Sequence, residues 1–227
     1  MPNNEQIKPA AFCPGCGHTI ILRSLYRVLQ NQELTGRAVI GLDIGCSLLA
    51  YDMLPINTFQ THHGRPVPTM VGFRRARKDT LAIVYAGDGG AYSIGLQSLL
   101  WAARRNEPIL VIVVNNTVYG MTGGQTAPTS LRGQVTDTAP GGHDETPILG
   151  PELIRSLNER AYIARTAVNE PANLAIHIEK AIKNALAGNF SLVEILSYCP
   201  TNWRTKGGET DKHLNGLKSV FKTGEIL

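Results

Sequence analysis

Leu81-Ala82-Ile83-Val84-Tyr85-Ala86-Gly87-Asp88-Gly89-Gly90 is the stretch on which the fold turns. Its first six residues form an uncharged run of strand length without a helical period. The run stops abruptly at the glycines, and a helical segment begins at once with Ala91 and Tyr92. Glycines there let the backbone turn tightly and approach a ligand, while the free N–H groups of a helix start attract an anion. Such a cradle is of diphosphate size. It follows neither the P-loop pattern nor G-x-G-x-x-G, and no lysine follows to reach a γ-phosphate, which argues against an NTPase or a dinucleotide site. Asp88 adds a hard carboxylate oxygen through which Mg²⁺ can bridge protein and phosphates.

Outward from this turn, apolar runs alternate with segments of helical period. Ala38–Ile44, Ile109–Val114, Leu192–Leu196 and, more weakly, Tyr162–Ala167 read as further strands. Thr19–Gln30, Ala91–Asn106, Glu152–Arg160 and Asn173–Leu186 read as helices, the last stopping before Gly188. The alternation predicts an α/β fold with a mostly parallel sheet flanked by helices. In such sheets ligands bind at the carboxyl ends of strands, and Ile109–Val114 ends in Asn115-Asn116, two oxygen-bearing amides. Taken singly, Gly-Asp-Gly is more often a plain turn and Asn-Asn a strand terminator; their pairing across one β-α-β unit reverses that balance. Residues 120–150 are crowded with Gly, Thr, Pro and Asp and show no period, as expected of a loop that is either functional or disordered. After Trp203 the chain is polar, with a weak amphipathic patch at Leu214, Leu217, Val220 and Phe221; a docking arm and a frayed end stand level.

The 227 residues suit one domain with a short tail. Twenty-two basic against 18 acidic residues give +4, with no basic stripe interleaved with aromatics, which excludes a nucleic-acid binder. No apolar run reaches the length of a membrane span, and Met1 to Ala10 lack a signal-peptide core, so a cytoplasmic protein is expected. In that reducing compartment four cysteines point to metal or redox chemistry before disulfides. Cys13-Pro14-Gly15-Cys16 stands alone, with Cys46 and Cys199 remote. A zinc ribbon shows two such knuckles, and a thioredoxin site follows a first strand. A cluster pinned between segments fits. From spacing alone iron–sulfur and zinc stand level, with inert buried cysteines third.

Gly87-Asp88-Gly89, 25 intervening residues, then Asn115-Asn116 resembles the thiamine diphosphate motif. By that resemblance Asp88 and Asn116 give side-chain oxygens to Mg²⁺, and Val118 its backbone carbonyl. Several further stretches resemble the β subunits of 2-oxoacid:ferredoxin oxidoreductases: Cys13-Pro14-Gly15-Cys16-Gly17-His18, Asp43-Ile44-Gly45-Cys46-Ser47, His63-Gly64-Arg65, Val118 to Gln125, and Cys199-Pro200-Thr201-Asn202-Trp203. They run in order from about Phe12 to Trp203.

The resemblance implies a thiamine-diphosphate-binding fold over residues 1–203, with a cluster-binding N-terminal segment, and a C-terminal tail over 204–227. It implies a [4Fe-4S] cluster on Cys13, Cys16, Cys46 and Cys199. The cofactor would be held by Gly45, Cys46, Ser47, His63 and Gly64, by Gly87, Asp88, Gly89 and Gly90, and by Asn116, Tyr119, Gly120, Met121 and Thr122. His63 and Arg65 would act at the substrate or the diphosphate, and His18 is weighed as a ring partner. The implied reaction is oxidative decarboxylation of a 2-oxoacid to acyl-CoA and CO₂, or its reverse, with electrons passed to ferredoxin. A companion α subunit would supply the glutamate at the pyrimidine ring, for which this chain shows no motif. The Gly-Met-Thr-Gly-Gly-Gln run leans toward the 2-oxoglutarate and branched-chain members. The alternative is a non-redox thiamine diphosphate decarboxylase or synthase subunit with structural zinc. Arg74, Arg75, Arg77 and Lys78 fit a solvated helix face better than a docking site for ferredoxin or coenzyme A. Met70-Val71-Gly72-Phe73-Arg74 departs from the family's Ala-Thr-Gly-Ile-Lys.

Overall fold

The apolar runs come together side by side. The computed structural model describes residues 7–8 and 11–227, so most of Met1–Ala10, on which the expectation of no export signal rests, lies outside the described residues. In chain order the elements are α1 (Gly17–Asn31), β1 (Ala38–Leu42), β2 (Asn57–Gln60), α2 (Pro66–Ala76) and β3 (Leu81–Gly87). There follow α3 (Leu96–Arg104), β4 (Leu110–Asn115), the short pair β5 (Val118–Tyr119) and β6 (Gln125–Thr126), α4 (Gly150–Arg155), β7 (Tyr162–Ala167) and α5 (Pro171–Leu186). The chain closes with β8 (Ser191–Leu196), α6 (Pro200–Trp203), α7 (Gly208–Leu217) and β9 (Gly224–Glu225). The main sheet has the order β2-β1-β3-β4-β8-β7-β9. Its first six strands are parallel, and β9 is antiparallel to β7.

Helices cover both faces, which is why β4 and β8 are buried at every residue and read as unbroken apolar runs. Alternate side chains serve opposite layers. Leu81, Ile83 and Tyr85 of β3 join α1, α5 and α7 through Leu25, Leu29, Ile178, Ile182 and Leu214. Ala82, Val84 and Ala86 face α2, α3 and α4 through Met70, Leu99 and Ile154. No helix among the described residues is long and apolar enough to cross a membrane.

Four sequence expectations need correction in detail. The helix expected over Ala91–Asn106 is split: a π-helical turn spans Gly90–Ile94, and α3 starts only after Gly95. The helix expected over Glu152–Arg160 ends at Arg155. Residues 120–150, without a period, are nonetheless ordered by side chains: Thr126 and Thr136 bond to each other at 2.6 Å, and Ser130 Oγ and Gln134 Nε2 both donate to the Thr117 carbonyl. After Trp203, Leu214, Leu217 and Phe221 enter the same core as α1 and α5, while Val220 stays exposed.

Tyr92, on the π-helical turn, is buried against α4. A Cβ on Gly150 would stand 2.2 Å from the tyrosine ring. Gly150→Ala is therefore expected to cost about 1–3 kcal/mol through overpacking, read from a urea midpoint. An unchanged midpoint would show that α4 can move away freely.

Candidate functional site

From β1 the chain goes outward to β2 and returns to β3 on the other side of β1, so the connections reverse between β1 and β3. Loops diverge at such a switch point and leave a crevice at the carboxyl ends. A cavity of about 400 Å³ occupies it. Ile44, Gly45, Cys46 and Ser47 line it from the end of β1, and Gly87 to Gly90, Ser93 and Ile94 from the end of β3. Asn116 and Val118 to Thr122 close it from β4 and the β5–β6 hairpin, with His18 and His63 at its sides.

Asp88 sits at the bottom of the cavity, 3% exposed. Its Oδ1 accepts the Gly89 N–H at 3.0 Å, and its Oδ2 accepts the Thr117 N–H at 3.1 Å and the Thr129 hydroxyl. Burial pushes its carboxyl up to about 7 and the charge of Glu194 adds to this, while the three donors pull it back. A carboxylate destabilised in this way is one that a cation beside it would restore to its charged form. Asn116 holds the next loop, its Oδ1 accepting the Val118 N–H at 3.1 Å. Thr117 between them takes a left-handed φ of 61°.

Asp43, quoted above only as part of a motif, is a site residue that sequence reasoning missed. It is buried at the end of β1, where Oδ1 accepts the Gly64 N–H at 2.8 Å and Oδ2 has no partner among the described residues. Burial raises its pKa, against the pull of the Gly64 and Ile44 N–H groups and the nearby His63. A Cβ on Gly90 would stand 1.6 Å from Oδ2, so only glycine lets the turn after β3 lie on this carboxyl. The signal available in the sequence was an acid directly following an apolar strand run. Thr129, deep in the unperiodic loop, gave none.

His18 is buried, its Nδ1 2.7 Å from the Tyr85 hydroxyl and its ring stacked on Phe12 at 4.8 Å. Burial pushes its pKa down to about 4, so it is neutral at physiological pH. His63 is exposed at the mouth. Gly64 is buried behind it, and Arg65, exposed at the start of α2, does not line the cavity. Arg75 pairs with Glu107 and Arg77 with Asp79, so part of the basic cluster is spent within the chain.

The four cysteines, over 180 positions apart at the extremes of the sequence, converge beside the cavity. The Cys16 N–H donates to the Cys13 carbonyl at 3.0 Å, and the Gly17 N–H to the Tyr198 carbonyl at 3.4 Å. Asn202 Nδ2 reaches Cys199 Sγ at 3.4 Å and the Gly120 carbonyl at 2.8 Å, and a Cβ on Gly120 would be 3.3 Å from Cys46 Sγ. All four are free thiols, graded from exposed Cys13 to buried Cys199. Burial first, and neighbouring thiols second, push Cys16 up to about 11 and Cys46 up to about 12. Among the described residues no group of three or more His, Cys, Asp or Glu side chains is placed to hold a metal ion. As placed, the thiols are electrostatic neighbours.

The family model for the thiamine pyrophosphate enzyme C-terminal TPP binding domain matches residues 43–195. The chain is 38% identical over 212 residues to ketoisovalerate oxidoreductase subunit VorA of Methanothermobacter thermautotrophicus, covering 89% of this chain and 44% of that protein. To 2-oxoglutarate synthase subunit KorB of Archaeoglobus fulgidus it is 36% identical over 210 residues, covering 92% and 77%. Among solved structures, a 2-oxoglutarate:ferredoxin oxidoreductase from Magnetococcus marinus, with 2-oxoglutarate, coenzyme A and succinyl-CoA bound, aligns at a TM-score of 0.79 and 32% identity, covering 86% of this chain and 66% of that one. The chain thus spans less than half of VorA and about two thirds of the solved relative.

Proposed function

The chain belongs to the thiamine pyrophosphate enzymes and, among them, to the family of the 2-oxoacid:ferredoxin oxidoreductase subunits, and from that premise we propose that it is the thiamine-diphosphate-binding β subunit of such an oxidoreductase. Its reaction is the conversion of a 2-oxoacid and coenzyme A to acyl-CoA and CO₂, or the reverse, with electrons passed to ferredoxin. One observation carries the reading: the Gly-Asp-Gly turn, Asn116 and four thiols from distant parts of the chain meet at the carboxyl ends of the central strands.

In this reading the backbone of Gly89 and Gly90 holds a diphosphate, and Asp88 and Asn116, with the Val118 carbonyl, hold Mg²⁺ against it. The buried carboxyl of Asp88 fits that ion because burial and Glu194 make its uncompensated charge costly. Cys13, Cys16, Cys46 and Cys199 hold a [4Fe-4S] cluster; soft thiols that sense one another's charge are the donor set such a cluster takes. Bound there, thiamine diphosphate supplies the nucleophile and electron sink for decarboxylation, and the cluster a one-electron acceptor. The neutral His18 and the walls at Tyr119, Met121 and Thr122 orient the ring and exclude water. His63, exposed at the mouth beside Asp43, would meet the substrate carboxylate in this reading. Arg65 lies outside the lining, so that contact falls to His63. The pyrimidine-side glutamate comes from a companion subunit, and the isolated chain is inactive.

Anaerobic purification followed by iron, sulfide and zinc analysis tests this, together with an electron paramagnetic resonance spectrum after dithionite. The expected result is about four irons and four sulfides per chain with a reduced-cluster signal. One zinc and no iron would overturn the electron path and leave a non-redox thiamine enzyme.

A further inference from the structure

The short α6 joins the thiols to the cofactor cradle. It follows directly from Cys199, and its last residue, Trp203, donates through Nε1 to the Asn116 carbonyl at 2.9 Å. Asn202, one residue earlier, makes two contacts through a single atom: Nδ2 donates to the Gly120 carbonyl at 2.8 Å and to Cys199 Sγ at 3.4 Å. Gly120 lines the cofactor cavity.

The first contact fixes the nature of the second. A backbone carbonyl can only accept, so the Asn202 atom facing Gly120 is the amide nitrogen, which carries a second hydrogen for the sulfur. The amide is also hemmed in by the hairpin loop. A Cβ on Gly124, whose φ is 96°, would stand 3.2 Å from Asn202 Cβ and Oδ1. Among the described residues no other side chain hydrogen-bonds to any of the four thiols. Cys199 is the most buried of them, where water screens a hydrogen bond least.

Charge gives this bond a role. One electron arriving at a cluster on these thiols adds one negative charge, part of which falls on the cysteine sulfurs. In the functional reading that electron is lost by the substrate carried on the cofactor and passes on to ferredoxin. An N–H aimed at a sulfur becomes a stronger, charge-assisted bond as the negative charge grows, so it favours the reduced state. We propose that Asn202 is a positioning residue for electron transfer: its amide, anchored on the loop that lines the cofactor cavity, raises the reduction potential of the cluster through Cys199. The proposal rests on the functional reading above, which puts a cluster on the thiols but gives Asn202 no part in it.

The test is a potentiometric titration of the full chain, purified anaerobically, with the reduced cluster followed by electron paramagnetic resonance and iron counted in each sample. Asn202→Leu keeps the branching and removes the donor. It is expected to lower the ratio of reduced to oxidised cluster at a fixed potential by about tenfold, which is about 59 mV for one electron. Asn202→Asp, of the same size, without the N–H and bearing a charge, lowers it at least as far and decides the matter if the leucine variant does not fold. Trp203→Phe cuts the other tie between α6 and the cradle without touching a thiol, and its potential stays at the native value. Native potentials in the Asn202 variants overturn the proposal. So does an equal shift in Trp203→Phe, since movement of α6 would then account for both. Loss of iron from both Asn202 variants, with the native chain loaded, would make the side chain a requirement for holding the cluster and not for its potential, which also overturns it. A native chain without iron removes the functional reading and this proposal together.

Discussion

Asp88→Asn lowers the affinity of the chain for Mg²⁺ and thiamine diphosphate by at least about a hundredfold, because it removes the one charged oxygen at the bottom of the cradle. The amide keeps the size but only one acceptor oxygen, which can serve Gly89 on one side or Thr117 and Thr129 on the other, so a urea midpoint measured beside the affinity separates lost charge from lost folding. The same variant changes the pH dependence of the metal-free chain. Folded Asp88 is pushed up to about 7 from an ordinary 3.8, so it keeps a proton that the unfolded chain has released. Its contribution to stability is full below about 4 and is lost as pH rises through about 7. His18, pushed down to about 4 from 6.5, acts oppositely: its contribution is full above 6.5 and is lost as pH falls through about 4. In the native chain the two slopes oppose each other between about 4 and 6.5. Asp88→Asn should leave the histidine slope alone, giving a chain more acid-sensitive in relative terms and flatter near neutrality. Urea midpoints in EDTA across that range decide it; parallel profiles for the two proteins would show that Asp88 does not titrate there.

Arg165→Met is expected to cost about 3–5 kcal/mol of folding stability. Arg165 is fully buried on β7, its Nε 2.5 Å from Glu194 Oε1 and its Nη1 and Nη2 at 2.6 and 2.7 Å from the two Glu152 oxygens. The guanidinium also donates to the Lys222 carbonyl at 3.2 Å and lies 5.5 Å from the Phe221 ring centroid, fastening the C-terminal segment to the sheet. Methionine fills similar volume but strands Glu194, 0% exposed, without a cation. Adding Glu194→Leu should recover much of the loss, since the penalty belongs to the orphaned charge. A single-variant cost below about 1 kcal/mol, or no recovery in the double, would mean that Glu194 is neutralised by protonation.

Buried parallel strands were legible because burial on both faces leaves an unbroken apolar run, as in Leu81–Ala86 and Ile109–Val114. β2 was not, since Asn57, Thr58 and Gln60 are polar residues on an edge with little to bury. Of α2 only the basic end was read as a helix face, and that holds for Arg74 and Arg75 but not for Arg77 and Lys78, which follow its last residue; its start was hidden by Pro66 and Pro68, which a helix tolerates only in its first turn, and by Gly72. The boundary of α3 turned on a π-helical turn, which leaves no periodic trace in five residues. At the site, Asp88 and Asn116 were readable from position, each directly after a strand, whereas Cys46, four residues beyond β1, was read from its motif. Groups that support them from afar were not. Thr129 reaches Asp88 across 41 positions, and Glu194 sits in a strand where only its charge marks it as out of place. Arg65 was placed by motif proximity alone, and the turn into α2 carries it out of the cavity.

The two outermost strands have a consequence for assembly. β2 has four residues, mostly polar, and β9 has only two, running against the other strands. Short, polar or reversed borders offer a poor template for pairing with another backbone. A neighbouring polypeptide therefore has little to gain by extending the sheet. It would have to dock by helix surfaces and by the loops around the crevice, which places a joining chain over the chemistry and not beside it.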